Sequence, residues 1–301
     1  MPQRKIFFLV GPTAIGKSAL AIRLAKKLNC EIISLDSMQI YKGLDILSSK
    51  PSKSMRKAIA HHLLDIASPN QNFDAARYRK SALKKIEEIY SRGKIPLFTG
   101  GTGLYMSVLI DGIFKEVKTN EALREKLYAQ AKRRGGDYLH RKLKGVDKAA
   151  AGKIHPHDLR RIIRALEVYQ LTGKPISELW KKRSGLSGKY DIKIFGLNKD
   201  RQDLYNDINA RVEKMFQNGL VNEVKKLLKE KLSLTCAQAI GIKEISGYLE
   251  GVYDLAGARE LLKKNTRNYA KRQLTWFKKD KRVRWIDAGK ADPLKEIISA
   301  I

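Results

Sequence analysis

The segment Gly11–Ser18 constrains the fold more than any other part of this 301-residue sequence. It reads GPTAIGKS, fits the pattern GxxxxGK[ST], and lies between an apolar run, Ile6–Val10, and an amphipathic stretch, Ser18–Leu28. Glycines there let backbone N–H groups wrap an anion, and the following helix N-terminus adds positive potential. The segment therefore predicts a strand, a loop that binds a di- or triphosphate, and a helix. Lys17 would contact the phosphate oxygens and Ser18 would ligate Mg²⁺.

Strands and helices alternate through the first third of the chain. Apolar runs at Glu31–Leu35 and Ile95–Thr99 read as buried strands, and Arg77–Arg92 reads as an amphipathic helix. This alternation predicts a parallel α/β sheet with crossover helices. Further strands are expected at Ile192–Leu197 and Val283–Ile286.

Residues 118–187 show only helical patterns. We therefore expect a helical insertion at 118–187 within a phosphate-loop α/β core formed by 1–117 and 188–301. Helices are also expected in the second core segment, at 201–218, 219–231 and 254–280.

Charge indicates the kind of partner. Lys and Arg number 61 against 31 Asp and Glu, a net charge of +30. Such an excess suggests a polyanion such as nucleic acid, although a general bias for solubility would produce the same number. No apolar run approaches the roughly 18 residues of a membrane-spanning helix. The two cysteines, Cys30 and Cys236, match no zinc or redox spacing, which favours a cytosolic protein.

Asp36 follows the second predicted strand. Because the carboxyl ends of parallel strands line the ligand crevice of an open α/β sheet, Asp36 should share one cleft with Lys17. The third strand ends in Gly100-Gly101-Thr102 and supplies no acid. The chemistry therefore depends on Asp36, which could serve Mg²⁺, act as a base or cap a turn.

Further motifs follow in a fixed order along nearly the whole chain. They are Asp36–Tyr41, Lys50–Ser52, His61–Ile66, Arg92–Pro96, Gly100–Tyr105, Arg160–Glu167, Thr172–Pro175, Gly219-Leu220 and Tyr269–Phe277. With the Gly11–Ser18 loop, this order resembles the tRNA dimethylallyltransferase (tRNA isopentenyltransferase) family. The resemblance implies a phosphate-loop core and a helical insertion that together grip the anticodon stem-loop of tRNA.

The resemblance also implies a reaction. A dimethylallyl group passes from dimethylallyl diphosphate to the exocyclic amine of the adenosine 3′ of the anticodon, diphosphate leaves, and no ATP is split. Asp36 is then the general base, Thr102 lies near the reacting centre, and Lys17 completes the catalytic set. The implied diphosphate ligands are Gly11, Pro12, Thr13, Ala14, Ile15, Gly16, Lys17, Ser18 and Arg211, with Mg²⁺ on Ser18.

The implied tRNA contacts fall in three regions. They are Asp36, Ser37, Met38, Gln39 and Thr102 in the cleft, Arg124, Arg160, Arg161 and Arg164 on the insertion, and Lys243, Lys271, Arg272 and Gln273 toward the C-terminus. Residues 259–284 also carry a basic stripe at helical spacing, formed by Lys264, Arg267, Lys271 and Lys278. A solvated basic face would give the same pattern.

Three other functions remain open from the sequence. They are a small-molecule phosphate-loop kinase, an enzyme that prenylates free adenine nucleotides, and an RNA-binding protein that has lost catalysis. Intact Lys17, Ser18, Asp36 and Thr102 weigh against the last, and the high net charge favours tRNA over free nucleotides. We expect a monomer that needs no protein partner and no membrane.

Overall fold

The computed structural model describes residues 3–114, 117–289 and 292–301. It divides into two compact units, one formed by 1–109 with 187–301 and the other by 110–186. The smaller unit thus begins before the insertion expected at 118. Its two ends pair with each other through an antiparallel bridge between Ile113 and Ser184, which draws these extended residues into the unit.

The larger unit is built on a six-stranded sheet. Its strands are β1 (Lys5–Val10), β2 (Cys30–Leu35), β3 (His61–His62), β4 (Ile95–Gly100), β5 (Asp191–Asn198) and β6 (Val283–Asp287), in the spatial order β3-β2-β4-β1-β5-β6. Every neighbouring pair is parallel. The predicted parallel α/β fold is therefore confirmed.

Helices connect and cover these strands. The larger unit carries α1 (Lys17–Leu28), α2 (Lys53–Ala58), α3 (Ala75–Ser91), α4 (Gly103–Ile110), α10 (Arg201–Gln217), α11 (Leu220–Leu227), α12 (Ile242–Leu249), α13 (Leu255–Lys278) and α14 (Pro293–Ile298). The smaller unit carries α5 (Glu121–Arg134), α6 (Gly136–Val146), α7 (Lys148–Lys153), α8 (Leu159–Thr172) and α9 (Ile176–Lys181). No helix of the described ranges is long and apolar enough to cross a membrane.

Burial explains why the central strands are apolar throughout. All six residues of β2 are buried, as are five of the six of β1, because helices cover both faces of the parallel sheet. Leu20 and Leu24 of α1 pack on one face with Phe7 and Leu9 of β1. A second apolar cluster joins Ile40 and Tyr41, just after β2, to α10, α11 and α12.

The smaller unit has a core of its own. Leu139 and Leu143 of α6 pack with Ile162 and Leu166 of α8. One carboxylate, Glu167, is completely buried within this helical core.

Sheet order fixes the position of the candidate site. β1 and β2 both pair with β4, so the segments that follow these three strands meet at one edge of the sheet. Those segments are the Gly11–Ser18 loop, the Asp36 turn and the Gly101–Gly103 turn.

Candidate active site

A cleft of about 640 Å³ opens at the carboxyl edge of the sheet. We call it the phosphate cleft. Its polar lining includes Thr13, Gly16, Lys17, Ser18, Asp36, Ser37, Gln39, Ser48, Ser49, His61, Thr99, Arg211, Gln238, Thr266, Tyr269, Arg272 and Gln273. The structure thus brings Lys17 and Asp36 into one cavity, as the strand ends predict.

The Gly11–Ser18 loop adopts a wound conformation that needs its glycines. Gly11 has φ 148°, Gly16 has φ 90°, and Ala14 between them is also left-handed at φ 67°. A side chain at Gly11 would place its Cβ 2.9 Å from the carbonyl oxygen of Leu197 on β5. The Lys17 ammonium donates to the carbonyl oxygens of Gly11 and Pro12 at 3.0 and 2.6 Å, so the lysine folds back over the loop.

Lys17 and Arg211 are buried cations of the phosphate cleft. Burial and, to a lesser extent, the charge of Arg211 together lower the pKa of Lys17 to about 7, while the charge of Asp36 acts in the opposite direction. Burial also lowers the pKa of Arg211, with Asp36 again opposing. An anion between these two side chains would relieve their desolvation and mutual repulsion. This pair is suited to bind a multiply charged group such as a diphosphate.

One oxygen of the Asp36 carboxylate is fixed by the turn that follows β2. It accepts backbone N–H groups of Met38 at 2.8 Å and Gln39 at 3.3 Å. The other oxygen has no hydrogen-bond partner among residues 3–114, 117–289 and 292–301. Asp36 therefore caps a turn with one oxygen and keeps the second available for a proton.

Thr102 joins the ends of β2 and β4. Its backbone N–H donates to the carbonyl oxygen of Leu35 at 3.0 Å, and its hydroxyl oxygen accepts the N–H of Ser37 at 3.1 Å. Thr102 does not itself line the phosphate cleft, but it holds the backbone on either side of Asp36.

Gln273 clamps two loops of the site together. Its side-chain oxygen accepts the Thr13 N–H at 2.9 Å and its amide nitrogen donates to the carbonyl oxygen of Gly101 at 3.0 Å. The side chain is buried, and a Cβ on Gly101 would overlap its amide nitrogen. The predicted tRNA contact Gln273 thus has both polar ends of its side chain engaged within the protein.

Two residues of the site were not singled out individually from the sequence. Tyr269 lies one helical turn before Gln273 on α13 and makes polar contacts with Thr102 and Gln273. Burial, followed by the charge of Asp36, raises the pKa of Tyr269, so its hydroxyl stays protonated at neutral pH. The sequence did offer one indication: Tyr269 is four residues before Gln273, and residues at this spacing lie on the same face of a helix.

The other is Lys50, whose side chain is 1% exposed. Its ammonium donates to the carbonyl oxygen of Tyr41 at 2.6 Å and to the carboxylates of Asp45 and Asp65 at 2.8 and 2.5 Å. Asp65 in turn donates its backbone N–H to the carbonyl oxygen of Gln39. Lys50 therefore ties down the loop whose first turn presents Asp36.

The remaining predicted contacts of the larger unit divide between the cleft and the surface. Ser37, Met38, Gln39 and Arg272 line the phosphate cleft, with the Arg272 guanidinium 5.7 Å from the Tyr269 ring centre. The exposed residues Lys243 and Lys271 lie outside it.

The four arginines of the smaller unit are not equivalent. Arg124 and Arg164 both bind the buried Glu167, at 3.1 and 2.6 Å. Arg160 and Arg161 are exposed, and Arg161 pairs with Asp158 at 3.3 Å. Only this second pair presents its charge mainly to solvent.

The side chains of the phosphate cleft fit Mg²⁺ bound together with a phosphate substrate. Ser18 and Asp36 offer oxygen atoms there, and Mg²⁺ takes one or two protein oxygens and fills its other positions with water and phosphate oxygens. No cluster of three or more His, Cys, Asp or Glu arranged for a metal occurs in the described part of the chain. The side chains present suit a substrate-bound cation.

A parallel sheet, a wound glycine loop and two cations facing a carboxylate define an α/β protein of the phosphate-loop class. A family model described as IPP transferase matches residues 39–280 of the chain. The chain belongs to the IPP transferase family.

Curated relatives match along almost their whole length. The tRNA dimethylallyltransferase of Carboxydothermus hydrogenoformans is 49% identical over 299 residues, covering 99% of this chain and 96% of the relative. The tRNA dimethylallyltransferase of Geobacter sulfurreducens is 46% identical over 285 residues, covering 94% and 92%.

Solved structures are similar in fold as well as in sequence. The tRNA isopentenylpyrophosphate transferase of Bacillus halodurans is 40% identical with a TM-score of 0.72, covering 99% of this chain and 94% of its own. A eukaryotic dimethylallyltransferase acting on tRNA is 30% identical with a TM-score of 0.77, covering 95% and 74%. The predicted family is thereby confirmed.

Proposed function

We propose that this protein transfers a dimethylallyl group from dimethylallyl diphosphate to the exocyclic amine of the adenosine 3′ of the anticodon in tRNA. The observation that carries the proposal is that one cavity contains Lys17, Arg211 and the Asp36 carboxylate. One oxygen of that carboxylate is held by backbone N–H groups and the other has no partner among the described residues. The names of the relatives, tRNA dimethylallyltransferases, support the same reaction.

The cations would act on the departing diphosphate. An adenine amine is a weak nucleophile because its lone pair is delocalised into the ring, so the allylic carbon–oxygen bond must be largely broken before attack. That bond's electron pair passes to the diphosphate, where charge grows in the transition state. Lys17, Arg211 and the loop N–H groups, which line the cleft, would stabilise this charge. Mg²⁺, when bound beside Ser18, would neutralise part of it.

Asp36 would accept the proton. Once the new carbon–nitrogen bond begins to form, the amine becomes acidic and an ordinary carboxylate can deprotonate it. The Asp36 oxygen held by Met38 and Gln39 fixes the group, and the other oxygen is free to take the proton. Thr102 supports this arrangement by holding Ser37 from the end of β4.

Apolar side chains provide for the transferred group. Leu47, Met215, Ile240 and Leu262 also line the phosphate cleft. A five-carbon allylic chain against these residues would be shielded from water, which competes with the amine for the reactive carbon.

RNA is the acceptor that best suits the charge of the molecule. The net charge of +30 exceeds what a free nucleotide requires, and unpaired loop bases are the parts of RNA that proteins most readily take out of the stack. We include Arg160, Arg161, Lys271 and Arg272 among the proposed tRNA contacts. All proposed catalytic groups lie within one chain, so the proposal is for an enzyme that acts as a monomer. The two cysteines match no zinc or redox spacing, which supports a cytosolic location.

The test is an incubation of the purified protein with dimethylallyl diphosphate, Mg²⁺ and unmodified tRNA, followed by digestion and mass analysis of the nucleosides. We expect a prenyl-sized mass gain on one anticodon-loop adenosine, without ATP. Gain on free AMP but not on tRNA would overturn the choice of acceptor. ATP consumption without prenylation would replace the proposal with a phosphate-loop kinase.

A further inference from the structure

A second concave surface lies on the larger unit, outside the phosphate cleft. We call it the basic groove. It has a volume of about 450 Å³ and is lined by Asn198, Lys199, Asp200, Arg201, Leu204, Tyr205, Lys271, Leu274, Thr275 and Lys278. The first six residues belong to the end of β5 and the start of α10, and the other four to the last two turns of α13. Four of its side chains are basic and one is acidic.

Two acidic groups at the basic groove, Asp200 and Asp207, are already engaged. Asp200 caps α10 by accepting the N–H groups of Gln202 and Asp203, and Asp207 pairs with Lys199 at 2.6 Å. Lys271 and Lys278 are exposed, and neither has a carboxylate partner among residues 3–114, 117–289 and 292–301. The basic groove therefore keeps an uncompensated positive charge along α13.

An aromatic ring forms part of the wall of the basic groove. The Arg201 guanidinium lies 5.2 Å from the Tyr205 ring centre and donates to its hydroxyl at 3.1 Å. Arg267 approaches the same ring at 6.0 Å and donates to Asn209 at 2.7 Å. Planar cations beside an aromatic face are the groups that single-stranded RNA meets on many of its protein partners.

The helix α13 connects the basic groove to the phosphate cleft. Its consecutive residues Lys271 and Arg272 line the groove and the cleft, respectively. Lys271 and Lys278 are seven residues apart, which places them about 10 Å apart along the helix. This spacing presents two charges in a row to an extended polyanion that passes beside the cleft.

We propose that the basic groove binds the sugar–phosphate backbone of the RNA whose adenosine enters the phosphate cleft. This inference rests on the proposed function, because it assigns a surface for the same substrate. Three of the four cations, Arg201, Lys271 and Lys278, are exposed and spread along the groove, an arrangement that suits a string of phosphates better than one small anion.

The test compares two matched double variants of the full-length protein. Arg201→Gln with Lys278→Gln removes two charges from the groove and touches no residue of the phosphate cleft. Lys225→Gln with Lys226→Gln removes two exposed charges from α11, which lines neither cavity. Thermal unfolding of both variants checks that folding is intact. Unmodified tRNA binding is then measured at several salt concentrations.

The groove variant should bind tRNA about tenfold more weakly at low salt. The slope of its plot of log affinity against log salt concentration should become less negative by about 1.4 to 1.8, which corresponds to two lost phosphate contacts. The control variant should keep the wild-type slope. In turnover assays the groove variant should raise the KM for tRNA and leave the KM for dimethylallyl diphosphate unchanged.

Equal slopes for the groove and control variants would overturn the inference while wild-type prenylation still stood. Wild-type protein that binds tRNA but transfers no prenyl group would overturn the proposed function instead. In that case the difference in slope would still decide whether RNA occupies the basic groove.

Discussion

At the scale of single residues, the site depends on how Asp36 is held. Two backbone N–H groups fix one carboxylate oxygen and leave the other free. An asparagine can keep the same turn by accepting those N–H groups with its amide oxygen, but it cannot take a proton at neutral pH. Replacing Asp36 by asparagine can therefore remove its role as a base while the turn that it fixes is kept.

We expect Asp36→Asn to lower the rate of prenyl transfer at saturating substrate by about 100- to 10,000-fold, the range for loss of a general base. Its thermal stability and its affinity for dimethylallyl diphosphate should change little. Single-turnover assays with tRNA measure the rate, and calorimetric titration measures the affinity. Full turnover in this variant would remove Asp36 from the role of base.

Lys17 should make diphosphate binding depend on pH. With the pKa of Lys17 lowered to about 7, the lysine is charged below this pH, whereas a bound anion favours its charged form at higher pH as well. Affinity for diphosphate should therefore fall as pH rises above 7, by up to tenfold per unit, while the protein takes up a proton on binding.

Lys17→Arg is the matched control for this pH effect. Arginine keeps the positive charge at every accessible pH, so subtracting its profile removes the titration of the ligand itself. The two proteins should diverge between pH 7 and 9 in calorimetric titrations. Parallel profiles would mean that Lys17 remains charged in the free protein.

The sequence predicted the residues of the site that lie in or next to a recognisable motif. It did not predict the roles of residues that reach the site only when distant segments of the chain fold together. Lys17, Ser18 and Asp36 could be placed because the glycine loop and the strand end lie within a few residues of them. The roles of Gln273 and Lys50 were not visible. Gln273 binds Thr13 across 260 residues, and Lys50 is an ordinary lysine until its three oxygen partners surround it.

At the scale of secondary-structure elements, α13 organises the larger unit. One face of this 24-residue helix reaches the phosphate cleft through Thr266, Tyr269 and Gln273. Its length and amphipathic pattern made it predictable. The two-residue strand β3 and the six-residue helices α2, α7, α9 and α14 escaped prediction because such short elements show no full hydrophobic period.

The Gln273 clamp gives a test at this scale. Gln273→Ala should leave the Thr13 N–H and the Gly101 carbonyl unpaired, lowering the free energy of unfolding by about 1–3 kcal/mol. The affinity for diphosphate should also fall, because the glycine loop loses its support. Urea unfolding and calorimetric titration measure the two effects.

The matched control for Gln273→Ala is Asn268→Ala, at an exposed position of the same helix. It should change neither quantity. Equal stability of the two variants would show that the clamp does not stabilise the fold, and an unaltered diphosphate affinity in Gln273→Ala would show that it does not support the loop.

At the scale of the whole molecule, charge has two different uses. Part of the positive excess neutralises buried acids, as where Arg124 and Arg164 hold Glu167. Although burial alone would raise it, the pKa of Glu167 is lowered by hydrogen bonds from Arg164, the Asn120 N–H and Arg124. The ionised carboxylate thus stabilises the fold at neutral pH, and this contribution is lost on acidification. Composition alone cannot separate such structural cations from those that face solvent.

The predicted tRNA contacts on the smaller unit should therefore fall into two groups, one that faces solvent and can bind RNA and one that neutralises the buried Glu167. Arg160→Gln with Arg161→Gln should weaken tRNA binding and flatten its salt dependence by up to about 1.8, with stability unchanged. Arg164→Gln leaves Glu167 with one guanidinium instead of two, so it should cost on the order of 2 kcal/mol of stability. Urea unfolding and salt-dependent tRNA binding, measured on both variants, separate the two effects. A stable Arg164→Gln protein with a reduced salt slope would show that Arg164 contacts RNA rather than serving only the helical core.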